Sequence, residues 1–189
     1  MSISEEKAAL RAHFLALRNA LDTQQKRVLD EALCREITNH SAFLQAELLL
    51  CYAPVRGEPN LTSVYQAALE CGKRIAFPRC EGKQMTFHEI RDLSQLQAGR
   101  FGIPTPPEDT REVHTNAHTL CLLPALSATR QGVRLGYGGG FYDRFLPDFK
   151  GTALLAIYEC LLTDDLPCEA TDISADHILT EKGELLPHA

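Results

Sequence analysis

The chain has 189 residues, 44% hydrophobic and 23% charged, with a formal net charge of −6 at pH 7. That length and balance suit one globular domain over 1–189 with a sizeable core. The acidic surplus argues against a general nucleic-acid binder, and no apolar run is long enough to span a bilayer. The acidic start around Ser4, Glu5 and Glu6 is unlike a signal peptide, so a cytoplasmic protein, without a membrane segment, is expected.

Residues 5–21 place Ala8, Ala9, Ala12, Leu15, Ala16 and Leu21 at helical spacing, with Ser4 as the expected N-cap. The opposite face presents Lys7, Arg11 and Arg18, a pattern that alone fits a solvated helix face. A second helix is predicted over 23–39, capped by Thr23, with Val28, Leu29, Ala32, Leu33 and Ile37 as its buried stripe. Together they read as a helical hairpin, an arm over 1–40 preceding an α/β core over 45–189.

Ala46–Tyr52 is a continuous apolar run, as expected of a strand buried on both faces. Pro54–Pro59 ends it, Leu61–Glu70 reads as a helix, and Arg74–Phe77 as a strand stopped by Pro78. That order predicts parallel pairing. Met85–Ile90 alternates as an antiparallel edge strand would, and residues 99–110, rich in Gly and Pro, read as a rigid loop. His114 and His118, four apart, fall in a loop leading into a strand over Thr119–Leu123. A glycine loop, a short helix from Phe141 to Leu146, and strands over Thr152–Tyr158 and His177–Leu179 complete the pattern. The expected fold is a single-domain α/β structure: a mostly parallel sheet flanked by helices in a Rossmann-like three-layer arrangement, with the N-terminal helical hairpin. Seven cysteines without a Cys-x-x-Cys pair fit reduced, mostly buried thiols rather than a disulfide frame or a zinc site.

The most informative stretch is 132–144, Gly-Val-Arg-Leu-Gly-Tyr-Gly-Gly-Gly-Phe-Tyr-Asp-Arg. Its glycines at 136 and 138–140 reach positive φ cheaply, so successive N–H groups can turn around an anion. It is not a Walker A loop, because no Gly-Lys-Ser/Thr closes it, and position 141 is Phe where a dinucleotide fingerprint has Gly or Ala. An anion nest remains, with Arg134 able to add bidentate charge. Asp143 is placed to hold magnesium beside phosphate oxygens, or else to satisfy amides at a helix start. In an open parallel sheet the loop 54–58 and the loop 127–140 would face one crevice.

Leu123-Pro124-Ala125-Leu126 followed by 132–144 closely resembles the signature of the 5-formyltetrahydrofolate cyclo-ligase family. Lys7-x-x-x-Arg11, the run from Tyr52 to Glu58-Pro59-Asn60-Leu61, and Asp172-Ile173-Ser174-Ala175-Asp176 match it in order and spacing. The resemblance spans essentially the whole chain. It implies conversion of 5-formyltetrahydrofolate to 5,10-methenyltetrahydrofolate with ATP as co-substrate, Mg²⁺ as cofactor, and release of ADP and phosphate.

By the same resemblance, Lys7, Arg11, Arg134, Leu135, Gly136, Tyr137, Gly138, Gly139, Gly140, Phe141 and Tyr142 would bind ATP. Ala53, Glu58, Tyr137 and Tyr142 would meet the folate, and Arg134, Tyr142 and Asp143 would act in catalysis. Asp143 and Asp172 would hold the metal, with Asp176 competing for the second place. A monomer is the expectation, although the sequence itself does not fix the oligomeric state. The sequence departs from the family at Ala128-Thr129, where a Phe-Asp pair is usual, at Thr105, where glutamate is common, and at Ala125, where glycine is common. Those departures keep open an alternative, a nucleotide- or folate-binding paralogue with weakened catalysis. A sugar-phosphate or CoA-ester enzyme on a similar sheet ranks below both.

Overall fold

The computed structural model describes residues 2–99 and 102–185. Helix α1 (Ile3–Asn19) and helix α2 (Thr23–Asn39) open the chain, followed by a short helix α3 (Ser41–Gln45) and strand β1 (Leu48–Leu50). Helix α4 (Thr62–Glu70) leads into the hairpin β2 (Arg74–Glu81) and β3 (Gln84–Ile90), and a small ladder pairs β4 (Gln97–Ala98) with β5 (Pro104–Thr105). Then come β6 (Thr119–Leu123), β7 (Ser127–Thr129), β8 (Arg134–Leu135), helix α5 (Phe141–Phe145), β9 (Thr152–Ala156), β10 (Leu162–Thr163), β11 (His177–Thr180) and β12 (Gly183–Glu184).

Seven strands form the main sheet in the order β12-β11-β9-β6-β1-β2-β3. Its centre is parallel and its two outermost pairs are antiparallel. Leu48, Leu49 and Leu50 lie between β2 and β6 and are all buried, which is why this segment is leucine without alternation. Helix α2 packs beside α4 and against β11, and α5 lies on β3, so helices flank the sheet as expected. Among the described residues no helix is long and apolar enough to cross a membrane.

Several sequence expectations need correction. Helix α1 starts earlier than expected, because Ser2 rather than Ser4 is its cap: Glu5 N–H donates to Ser2 Oγ at 3.3 Å, and Ser2 N–H donates to Glu5 Oε2 at 2.8 Å. Asp22, not Thr23, caps α2 through the same reciprocal pair with Gln25. On α2 the buried residues are Leu33, Cys34 and Ile37, while Val28 is exposed. Helix α2 packs on α3, α4 and β11, while α1 meets the turn Glu159–Leu161.

The larger correction concerns which face of α1 is inside. Lys7, Phe14 and Arg18 are buried, whereas Ala8, Ala9, Ala12 and Ala16 face solvent. Alanine contributes little burial free energy, so the alanine face loses to a stripe that carries Phe14 and three cations with specific partners.

Pro78 does not stop β2. The Ala76 carbonyl faces β1 and accepts the Cys51 N–H at 2.8 Å, so by the two-residue period Pro78 faces the same side, past the end of β1. Its missing N–H therefore breaks no ladder bond, and Pro78 pairs opposite Phe87 in the hairpin. Residues 99–110 are not all loop, since Pro104–Thr105 pairs with Gln97–Ala98; Arg100 and Phe101 lie outside the described residues. Residues 127–135 are likewise not all loop: β7 pairs antiparallel with β8 and parallel with β10 in a second sheet. His114 and His118 are exposed in the segment before β6, as expected. All seven cysteines are free, but only Cys34, Cys51 and Cys121 are buried.

Candidate functional site

The direction in which the sheet grows reverses between β1 and β6. From β1 the chain moves to β2, then returns across β1 to β6 and onward to β9 and β11. Loops leaving the carboxyl ends of such neighbouring strands diverge and leave a crevice. One loop runs from Cys51 toward α4, and the other from Pro124 through the glycines to α5.

Arg18 demonstrates that the two loops share that crevice. Its side chain, on a residue only 1% exposed, donates to Arg56 O at 3.0 Å in the first loop and to Ala125 O at 3.1 Å in the second. A third bond goes to the Tyr137 hydroxyl within the glycine segment. The Tyr137 ring also receives cations on its faces, with Arg18 Cζ 5.7 Å and Arg56 Cζ 5.4 Å from the centroid. Burial beside Glu58 pushes the Tyr137 hydroxyl up to about 12, so it stays protonated.

Glu58 sits under this pair, 3% exposed, and accepts the Val55 N–H at 2.8 Å. The turn that delivers it is tight: Arg56 has φ 48 and Gly57 φ 77, and Glu58 N–H closes on Val55 O at 3.0 Å. Burial pushes the Glu58 carboxyl up to about 7, against the opposing pull of the Val55 amide and Arg18. Helix α2 braces the same loop, because Lys26 Nζ donates to Glu58 O at 2.9 Å and Asp30 Oδ1 accepts Asn60 N–H at 2.8 Å. Ala53, at the start of the loop, is buried.

The rest of the inward stripe of α1 meets the other side of the crevice. Arg11 Nε donates to Gly136 O at 2.9 Å. Gly138, at φ 90, lies against the same guanidinium; a Cβ there would stand 3.3 Å from Arg11 Cζ. Lys7 Nζ binds Glu169 Oε2 at 2.8 Å and Asp172 Oδ2 at 2.7 Å. Burial pushes the Asp172 carboxyl up, but Lys7, the Glu169 amide and the nearby Arg134 charge outweigh it and hold it below the usual carboxylate range. Asp176, the alternative to Asp172, spends one of its oxygens on the fold: its Oδ2 accepts Ala153 N–H at 2.7 Å.

Arg134 is aimed by strand β8. Its side chain is 5% exposed, its Nη2 donates to Asp143 Oδ1 at 2.6 Å, and its Cζ lies 5.7 Å from the Tyr142 ring. Its Nε is buried with no hydrogen-bond partner among the described residues. A buried N–H left unmatched in this way costs about 1–3 kcal/mol, and an oxyanion in the crevice would satisfy it. Gly140, left-handed at φ 63, turns the chain into α5, and Arg144 spans the turn by donating to Gly139 O at 2.9 Å and Lys83 O at 3.0 Å.

The structure thus gathers Lys7, Arg11, Arg134, Gly136, Tyr137, Gly138, Glu58, Asp143 and Asp172 around the crevice, with Gly139, Phe141 and Tyr142 continuing into α5. Leu135 differs in kind. Its side chain is buried at 2% exposure and its carbonyl accepts Leu126 N–H at 2.7 Å, so it serves the core. Ala128 and Thr129 are buried within β7, where Thr129 N–H donates to Val133 O at 2.8 Å. Thr105 Oγ1 donates to Pro78 O at 3.3 Å. Sequence reasoning missed Arg18, Arg56 and Glu169 as members of the site. A signal existed for Arg18, which lies seven residues after Arg11 on the same helical face.

Comparison with known proteins bears on this crevice. The model of the 5-formyltetrahydrofolate cyclo-ligase family matches residues 3–181. A 5-formyltetrahydrofolate cyclo-ligase of Mycolicibacterium smegmatis is 30% identical over 148 residues, covering 74% of this chain and 76% of that protein. The solved structure of the 5,10-methenyltetrahydrofolate synthetase of Aquifex aeolicus superposes with a TM-score of 0.83 at 28% identity, covering 94% of this chain and 91% of that one. A synthetase of the same name from Mycoplasma pneumoniae shares the fold, with a TM-score of 0.76 at 20% identity over 93% of this chain and 99% of that one.

Proposed function

The chain belongs to the 5-formyltetrahydrofolate cyclo-ligase family, and from that premise we propose that its crevice uses ATP to close 5-formyltetrahydrofolate to 5,10-methenyltetrahydrofolate. The observation that carries the reading at the level of residues is Arg134: a buried guanidinium tied to Asp143 with its Nε unmatched, beside a glycine backbone and two further cations.

The chemistry fits a site without a protein nucleophile. An amide-like formyl oxygen is a poor leaving group. Its attack on the γ-phosphorus of ATP forms an O–P bond and releases ADP. N10 then attacks the formyl carbon and loses its proton, and the C–O bond breaks as phosphate departs. Both steps need alignment and neutralised charge. Lys7, Arg11 and Arg134 supply positive charge, and the backbone of Gly136–Gly140 lets phosphates approach closely. Glu58, Tyr137, Tyr142 and Ala53 form the folate side, with Glu58 and Tyr137 offering hydrogen bonds to the pterin. Leu135 contributes backbone only.

Asp143 and Asp172 present hard oxygen donors of the kind magnesium requires, and each keeps one carboxylate oxygen without a hydrogen-bond partner among the described residues. These two residues would hold Mg²⁺, which would neutralise phosphate charge when bound. The protein is proposed to act as a cytoplasmic monomer on small molecules, without nucleic acid or membrane; its net charge of −6 supports the first exclusion.

The test is direct. Purified protein with ATP, Mg²⁺ and 5-formyltetrahydrofolate is expected to generate the methenyl absorbance band with stoichiometric ADP. Folded protein that binds ATP and folate yet yields neither overturns the reading in favour of a binding paralogue.

A further inference from the structure

We propose that His40, His177 and Glu184 form a site for a divalent transition metal of the zinc type, at the end of the sheet opposite the crevice. His177 is the first residue of β11, whereas the crevice lies beyond the carboxyl ends of the parallel strands, so the two sites are separate. The inference is independent of the cyclo-ligase reading.

Three elements converge here. His40 joins α2 to α3, His177 opens β11, and Glu184 belongs to β12. The His177 Nδ1 to Glu184 Oε1 distance is 2.7 Å, and the His40 Nε2 to Glu184 Oε2 distance is 3.5 Å. All candidate donor atoms fall within 4.8 Å of one another. Zinc bonds of about 2.0–2.2 Å in tetrahedral geometry put neighbouring donors about 3.3 Å apart, so small side-chain rotations bring these donors onto one ion. The imidazoles meet edge to face with centroids 4.8 Å apart, so both rings address the same carboxylate.

The surroundings suit a cation. His40 is nearly enclosed, with its side chain 9% exposed, while those of His177 and Glu184 are 35% and 33% exposed, leaving a coordination position for water. Glu36 adds further negative charge nearby, its Oε2 lying 3.7 Å from where a Cβ on Gly183 would stand. Two imidazoles with one carboxylate favour zinc, nickel or copper over magnesium.

Loading has a structural signature. Metal on His177 Nδ1 places that ring's proton on Nε2. Metal on His40 Nε2 places the His40 proton on Nδ1, which now accepts the Ala42 N–H at 3.2 Å, so this cap bond to α3 is given up. The ion would staple the end of α2 to the β11–β12 hairpin and raise thermal stability by mass action.

The experiment uses the full chain, untagged and stripped with chelator. Titration with zinc chloride by calorimetry is expected to show one saturable equivalent, a rise in Tm and a displaced Ala42 amide resonance, none of them reproduced by magnesium. His177→Gln and Glu184→Gln should each weaken zinc binding by about tenfold or more. Unchanged affinity in both variants, or no saturable binding by the native chain, overturns the site. Should the variants fail to fold, X-ray absorption of the zinc-loaded native protein decides: two imidazoles and a carboxylate support it, and any other ligand shell overturns it.

Discussion

Arg134 Nη2 and Asp143 Oδ1 meet at 2.6 Å, closing the glycine segment into a ring whose ends are a buried cation and its carboxylate. The pair fixes both groups before any phosphate arrives. Asp143→Asn keeps the size and one oxygen but discards the charge. Turnover is expected to fall by about 10²-fold or more with an unchanged circular dichroism spectrum, as for other preorganised electrostatic groups. Undiminished formation of the methenyl product would remove Asp143 from the machinery.

Arg18 is a structural hub as much as a site residue. Arg18→Met leaves the Arg56 and Ala125 carbonyls and the Tyr137 hydroxyl without their donor. Loss of about 2–4 kcal/mol is expected in urea denaturation, because the partners of a buried cation are left unmatched. A change of a few tenths would show that water replaces the guanidinium without cost.

Glu58 makes stability depend on pH. Its folded value of about 7 lies above the ordinary 4.5, so the folded chain holds a proton that the unfolded chain has released over that window. Stability contributed by the neutral carboxyl is therefore fully present below about pH 4.5 and is lost as pH rises from there through about 7. Glu58→Gln removes the penalty. It is expected to be more stable than the native chain by about 1–3 kcal/mol at about pH 8. Parallel stability curves for the two proteins across that range would refute the titration.

Gly138→Ala tests the close approach of helix and loop. Its φ of 90 is hostile to a side chain, and the new methyl would press on Arg11 Cζ at 3.3 Å. Strain of about 1–2 kcal/mol is expected as lost stability, and displacement of the Arg11 guanidinium as a raised KM for ATP with kcat much less affected. An unaltered KM would mean that the loop relaxes freely.

How much of this was legible beforehand depends on where the deciding energy resides. The leucines of β1 and the exact span of β6 were readable because strands buried on both faces leave no choice of residue. The crevice followed from parallel order plus two loops, and the glycine motif pointed to it. The orientation of α1 was not readable from periodicity: its alanines mimic an inward face, and the preference of Lys7, Arg11 and Arg18 for the interior is set by carbonyls and carboxylates more than 30 residues away in sequence. The β7–β8 ladder was hidden for a related reason, since strands of three and two residues carry too little pattern to stand out from a loop.

Lys7 meets Asp172 across 165 positions of sequence. During synthesis helix α1 can form early, yet the anionic partner of its first cation does not exist until residue 172 has been made. A truncated or stalled product therefore carries an unmatched basic stripe and no completed phosphate grip. Seating of that helix therefore waits on residues 169–172, and the phosphate grip closes only after they have been made.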